Sequence, residues 1–417
     1  MKKYLLFSLF CCISISYSQS MLIGVYTDTY IFPKKDSVVV FFTYRVENNS
    51  VVFEKKDDNY FASFRFNCEI LDSVSNVVVR DINEEFVTVA KFENTNTSEL
   101  STTGLMKFVI PEGNYELTIR FVDGNSKRET ELFPVKINAV TTKSRNYLKP
   151  LIVFNEKRKC ETKLTYEVFN YGNSFPFSGA DVKLLIPVND SSIQKLSAFI
   201  QSDGDSFKFE MEKSVYISPE LNKCDNSIIV DDENSNSVKC FIIENFSNLL
   251  NEGKFTLKLF REGFDKPDTL FSFDVRWFNK PVSLRNIDFA IQVLKHIEDK
   301  SVIDSLLKGN SQSVKEKFEN YWKRYDPTPE TKYNELMHEF YQRVDFAVTN
   351  YSSLDKKNGA DTDRGKTYLR FGKPDNIERT VSQQGRITEI WTYEKIGRKF
   401  VFVDVRGMGN FQLQADK

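Results

Sequence analysis

The sequence predicts a multidomain chain with two tandem all-β sandwiches followed by an α+β domain in which helices pack on a small antiparallel sheet. Three observations carry this reading. Short runs of alternating apolar and polar residues, separated by turn residues, fill residues 21–278. A strand motif recurs at an offset of 140 residues. The apolar period then changes from two to about 3.6 after Val282. The predicted boundaries are a signal peptide over 1–18, β-sandwiches over 19–143 and 147–278, and the α+β domain over 283–417.

The first eighteen residues have the layout of an export signal. Lys2 and Lys3 precede an apolar run from Tyr4 to Ile15, and Ser16-Tyr17-Ser18 supplies small residues for cleavage before Gln19. The run is about a dozen residues, short of the roughly 18 to 20 that span a bilayer. Cys11 and Cys12 lack the small preceding residues of a lipidation site, since Ser8-Leu9-Phe10 stand there. No later run is apolar enough to cross a membrane, so a soluble exported protein is expected. The chain stops a few residues past its last predicted strand, which favours the periplasm over the cell surface or the exterior.

The chain carries 57 basic and 58 acidic residues, and its pI is about 6.3. Nucleic-acid binders show a basic face and a high pI, so this class of partner is not expected. Four cysteines remain after cleavage, Cys68, Cys160, Cys224 and Cys240. Cys224 and Cys240 flank a segment with a polar second half, and a disulfide clipping that hairpin at its base is the candidate pair, against two buried free thiols. No CxxC pair occurs, which argues against a thioredoxin-like redox role or a zinc knuckle.

In the first β region the clearest strands are Ser37 to Tyr44, Tyr60 to Ile70, Met106 to Ile110 and Tyr115 to Phe121. In the last of these Tyr115, Leu117, Ile119 and Phe121 share one face, and Glu116, Thr118 and Arg120 share the other. Pro111-Glu112-Gly113 introduces it, and Asp123-Gly124 ends it with a tight-turn dipeptide. The pattern suits an immunoglobulin-like sandwich. Past a linker at 141–150, residues 252–259 repeat residues 112–119, and Leu270-Phe271 echoes Leu132-Phe133. Two copies make tandem domains rather than a solenoid.

From Val282 the helices follow. Ile287, Ala290, Ile291, Leu294 and Ile297 form one stripe, and residues 302–307 form a short second helix. A third opens on a capping box of Ser313 and Glu316 and presents Val314, Phe318, Tyr321, Trp322 and Tyr325. Thr328 as N-cap and Pro329 as first residue start a fourth, with Leu336, Phe340, Val344 and Ala347 inward. A loop from Asn358 to Gly365 then leads into strands at 366–371, 387–393, 399–405 and 410–413. The run from Phe400 to Val405 reads as a central strand covered on both faces.

Most catalytic constellations fail on residue count. His338-Glu339 lacks the second histidine of HExxH, because Gln342 stands there. His296 is the only other histidine, which argues against a histidine-rich metal site or a Ser-His-Asp triad. No GxSxG elbow exists, and Gly407-Met408-Gly409 reads as a hairpin turn. Neither cofactor nor metal is expected. Trp322 and Trp391 read as core anchors rather than stacking platforms.

One charge cluster stands out, formed by Asp361, Asp363, Arg364, Arg370, Asp375, Glu389, Asp404 and Arg406. Asp363, Arg364, Arg370, Asp404 and Arg406 are the binding candidates. In an enzymatic reading Asp361, Asp363 and Glu389 act on a glycan, or the aspartates hold Ca²⁺ while the arginines take an anionic group. In the structural reading, which is favoured, the aspartates fix turns and the arginines form ion pairs that orient the sheet on the helices.

The same third of the chain resembles the GWxTD domain proteins, an exported bacterial family. The matching residues are Tyr321-Trp322-Lys323-Arg324, Asp326-Pro327-Thr328-Pro329, Tyr341-Gln342-Arg343-Val344, Thr362-Asp363-Arg364-Gly365 with Tyr368 and Arg370, and then Phe371-Gly372-Lys373-Pro374-Asp375, Glu389-Ile390-Trp391 and Phe402-Val403-Asp404. The tryptophan of the naming motif is Ala360 here, although Gly359, Thr362 and Asp363 stand. The resemblance implies an exported envelope protein and carries no established reaction. The expected function is non-enzymatic binding or scaffolding, with an unknown envelope protein or polysaccharide as partner; the alternative is an envelope glycan hydrolase.

Overall fold

A computed structural model describes residues 23–141, 146–190, 192–202, 204–232, 237–353, 358–383 and 385–416. The predicted signal peptide lies outside the described residues. The chain divides into two compact units. The first takes in the residues up to Phe175 with Asp181–Glu244 and Lys254–Asp274; the second takes in Pro176–Ala180, Asn245–Gly253 and Val275 onward.

Both β regions therefore belong to one unit, and strand Val38–Glu47 shows how. Its sequence, VVVFFTYRVE, is apolar on both faces. Val38, Val40, Phe42, Tyr44 and Val46 join a core with Phe64, Phe66, Ile119 and Phe121. Val39 and Phe41 join a second core with Leu151, Val153, Leu185 and Val230. A strand this apolar leaves neither face at the surface, and each fully buried Phe or Val contributes about 1.5 to 3 kcal/mol. Asn170 ties the second β region to the same strand: it accepts from Thr43 Oγ1 (2.9 Å), and its side-chain N–H donates to Tyr44 O (2.8 Å).

The first region contains two sheets. One is the antiparallel set Val25–Pro33, Val38–Glu47 and Ser101–Ile110. The other centres on Asn59–Leu71, which pairs with Val77–Val89 along one edge and Gly113–Asp123 along the other. The predicted faces hold in Gly113–Asp123, where Leu117, Ile119 and Phe121 are buried. Asp123-Gly124 does not make a two-residue turn. Asp123 takes the N–H groups of Val52, Asn125 and Ser126 and holds a wider loop.

The second region is a closed barrel beside a five-stranded sheet, not two facing sheets. The barrel order is Leu151–Cys160, Lys163–Val168, Ser227–Asp232, Ser214–Cys224, Val238–Ile243 and Val182–Val188. Closure follows from two irregular strands. Leu151–Cys160 shifts register between Val153 and Lys157, and Ser214–Cys224 between Ile217 and Leu221. A bulge bends a strand, so that its two halves serve different neighbours. The repeated strand is present as Gly253–Arg261, with Leu257 and Leu259 buried. Leu270-Phe271 lies in strand Thr269–Arg276, whereas Leu132-Phe133 lies between strands.

The disulfide joins Cys160 to Cys224, and the predicted Cys224–Cys240 pair is not made. Cys160 and Cys224 end their strands at tight hairpins, opposite Lys163 and Ser227, and those hairpins are neighbours in the barrel. Cys240 sits mid-strand opposite Pro187 and Val215 and is buried in the barrel core, as Cys68 is in the first core.

The second unit contains α1 (Ile287–Val293), α2 (Lys300–Leu306), α3 (Ser311–Lys323), α4 (Glu335–Asn350) and α5 (Asp363–Phe371). α3 is capped by Asn310, whose side chain accepts from Ser313 N; Ser313 is not the cap. α4 starts later than predicted, with Asn334 as cap, and Thr328 instead shapes the preceding turn by donating to Glu335 Oε2 (2.7 Å). Residues 366–371 are helix, not strand. The sheet is the antiparallel order Asn376–Val381, Ile387–Tyr393, Arg398–Asp404 and Gln412–Asp416. Arg398–Asp404 is central but buried on one face only: Phe400, Phe402 and Asp404 turn inward while Val401 and Val403 are half-covered. Trp322 and Trp391 are core residues with Tyr341, Val344 and Ala347.

Candidate functional site

The loop from Asn358 to Gly365 is a helix-starting clasp. Asn358 accepts from Ala360 N (3.0 Å) and opens one 3-10 turn, Gly359–Asp361. Thr362 is the N-cap of α5: its hydroxyl accepts from Gly365 N (3.0 Å) and donates to Gly359 O (2.7 Å). That single side chain satisfies one of the unpaired N–H groups at the helix start and pins the preceding turn. Both glycines are required by space. A Cβ on Gly359 would lie 2.0 Å from Ala347 O at the end of α4, and one on Gly365 would lie 1.9 Å from Gly359 O. Ala360 is fully buried in the domain core.

The charged candidates separate into three settings. Arg364, largely covered, and Glu389, buried, form an ion pair, Nη1 to Oε2 3.2 Å. Glu389 also accepts from Trp391 Nε1 (3.3 Å), and the Arg379 guanidinium stands 4.0 Å away. The Arg364 guanidinium lies 3.9 Å from the centre of the Phe411 ring and 5.1 Å from that of Tyr351. A planar, weakly hydrated guanidinium suits such a site, where a lysine would not.

Asp361 faces a different element. Its carboxylate meets Lys295 (2.7 Å) and His296 Nε2 (3.1 Å), the second within ion-pair range but outside hydrogen-bond alignment. Burial raises the Asp361 pKa, but Lys295 and His296 together outweigh it and hold the carboxyl below its usual range. Burial pushes the His296 pKa down, against the opposing pull of Asp361. Arg370 donates to the His296 carbonyl (3.2 Å) rather than to a carboxylate.

Asp363 and Asp404 organise backbone. Asp363 Oδ2 accepts from Leu413 N (3.0 Å) and Oδ1 stands 3.5 Å from Lys366, so it joins the first turn of α5 to the last strand. Asp404, almost fully buried, accepts from the N–H groups of Arg406 (3.3 Å), Met408 (3.3 Å) and Gly409 (2.7 Å) and builds the turn in which Gly407 and Gly409 adopt positive φ. Arg406 is exposed. Asp375 caps Glu394 N (2.7 Å).

The structure thus brings Glu389 and Arg364 together and sends Asp361, Asp363, Arg370, Asp404 and Arg406 to separate tasks. Lys295 and His296 are the partners that sequence reasoning missed. They lie some 65 residues upstream on another element, and no local pattern links them to Asp361.

Residues 279–414 match the sequence profile of the GWxTD domain. No curated protein matches the chain. Among solved structures, the C-terminal domain of the Streptococcus pyogenes antigen I/II-family protein AspA aligns at 8% identity, covering 61% of this chain and 100% of that one, with a TM-score of 0.18. A structure designated BspA_C_WT aligns at 8% identity over 60% and 97% of the two chains, with a TM-score of 0.16. These two similarities are too slight to carry an argument.

Proposed function

We propose that this GWxTD-domain chain is a non-enzymatic binding or scaffolding protein of a bacterial cell envelope, exported by its N-terminal signal and resident in the periplasm. One observation carries the reading. The polar motif residues in the candidate site hold structure: Thr362 caps α5, Asp363 fastens it to the last strand, and Arg364 anchors it on Glu389. Carboxylates serving glycan hydrolysis must instead face an open cleft, one free to donate a proton and one to attack or activate water. The Cys160–Cys224 disulfide supports export, because such bonds persist in oxidising compartments. The first β region, with two sheets around one core, is read as immunoglobulin-like, and the β-rich unit as the spacer or interaction module.

Asp363→Asn tests the proposal. The expected result is a lowered thermal midpoint and no turnover of peptidoglycan or polysaccharide by the wild type. Wild-type turnover that Asp363→Asn abolishes while the melting curve stays unchanged overturns it in favour of a hydrolase. A pull-down from the envelope fraction with the full chain then identifies the partner.

A further inference from the structure

Strand Val77–Val89 is thirteen residues long and, among the described residues, pairs along one edge only, with Asn59–Leu71. Its outer face exposes Val78, Ile82 and Phe86 (41%, 56% and 76%) between the charged Arg80 and Glu84. A long edge with unused backbone groups and an apolar stripe is a template for another strand.

The sequence of this edge is complementary to itself. When two copies run antiparallel about a twofold axis through Ile82, Arg80 of each faces Glu84 of the other and Ile82 faces Ile82, while Val78, the extra residue of a bulge at the strand's start, comes near the second copy's Phe86. On the other face Asp81 meets Asn83 and Val79 meets Glu85. Neighbouring registers fail on charge. Centring on Asp81 sets two aspartates opposed, centring on Asn83 sets Asp81 against Glu85, and centring on Arg80 or Glu84 opposes two like charges.

The next strand extends the match. Arg80 already pairs with Glu69 (2.8 Å), and Glu84 stands opposite Arg65. In the Ile82-centred register these join into an alternating ladder of Glu69, Arg80, the second copy's Glu84 and its Arg65. We infer that this edge is a homodimerisation surface, in which two copies of the chain pair antiparallel through residues 79–85 about Ile82. The inference goes beyond the proposed envelope role and does not rest on it. An isologous contact of this kind closes on itself, so it yields a dimer and not a fibre. One contact holds the edge in check: the Ile82 N–H donates to the carboxylate of its own neighbour Asp81 (2.9 Å), which pairing would displace.

Sedimentation velocity of the full chain at roughly 100 μM, where weak edge-to-edge dimers populate, is expected to show a concentration-dependent dimer. Ile82→Lys, on an exposed side chain that the fold does not need, is expected to weaken it roughly tenfold or more by setting two ammonium groups opposed. Asp81→Ala is expected to tighten it by releasing the edge. Register is read by cysteine oxidation in a Cys11→Ser, Cys12→Ser background. Ile82→Cys is expected to crosslink with itself, Arg80→Cys to crosslink with Glu84→Cys when the two are mixed, and Thr88→Cys not to crosslink with itself. A monomer at all concentrations with no Ile82→Cys crosslink overturns the inference, as does a dimer that Ile82→Lys leaves intact.

Discussion

At the scale of single residues, Arg364 anchors α5 on the sheet of the second unit. It is nearly buried, it lies on the rings of Phe411 and Tyr351, and its partner Glu389 is equally concealed. Removing one member of a buried pair strands the other, at a cost of about 3 to 5 kcal/mol. Arg364→Met is therefore expected to lower the unfolding free energy, read by urea titration, by that much, because among the described residues Glu389 keeps the Trp391 N–H and a distant Arg379. Arg364→Lys restores little of the loss, since a lysine has neither the flat face for Phe411 nor the fork for the carboxylate. Glu389→Gln combined with Arg364→Met recovers part of it, because the stranded charge is gone. An Arg364→Met midpoint equal to the wild type would remove this pair from the account of the fold.

At the scale of elements, α5 is where the sequence misleads most. Residues 366–371 carry Tyr368 and Arg370 in a run that alternates like a strand, and the preceding aspartates read as loop. The deciding information is at the ends: Thr362 as N-cap, and Gly372 at φ +77 closing the last turn. The cap has no glutamate three residues on, so it lacks the pattern that marks a capping box, and its hydroxyl is completed by Gly359 and Gly365. The barrel was hidden for a comparable reason, since bulges at residues 153–157 and 217–221 break the alternation by which strands are read. What alternates cleanly was legible, including the first-region strands, the 140-residue repeat strand and most of the faces of α3 and α4. Tyr325, past the end of α3, and Leu336, in the first turn of α4, are exposed and not inward. Thr362→Val removes both hydroxyl contacts and is expected to cost about 1 to 2 kcal/mol, with faster amide exchange over residues 363–371. Thr362→Ser should be close to neutral. Gly365→Ala should be the most damaging of the three, because its Cβ has no space beside Gly359 O. If Thr362→Val and Thr362→Ser melt alike, the cap is not what starts α5.

At the scale of the whole molecule, the β-rich unit is held in two ways that the sequence does not announce. Strand Val38–Glu47 feeds alternate side chains into two cores, so the two β regions share an element where tandem repeats suggest independence. The disulfide then links two hairpin ends of the barrel across a separation of 64 residues. In the chain-entropy model a closed loop of that length is worth about 4 kcal/mol, through the freedom it removes from the unfolded chain. Cys160→Ser with Cys224→Ser is accordingly expected to lower stability by several kcal/mol while leaving the folded spectrum unchanged. Cys240→Ser should also destabilise, but by placing a hydroxyl in the apolar barrel core, and it should do so equally with and without reductant. The two mechanisms separate on that point: reductant should bring the wild type down to the Cys160→Ser, Cys224→Ser level and leave that variant unmoved. Peptide mapping without reduction should recover the fragment containing Cys160 joined to that containing Cys224. Recovery of Cys224 joined to Cys240 would instead require the strand from Val238 to Ile243 to turn a buried side chain out of the barrel, and would overturn this topology.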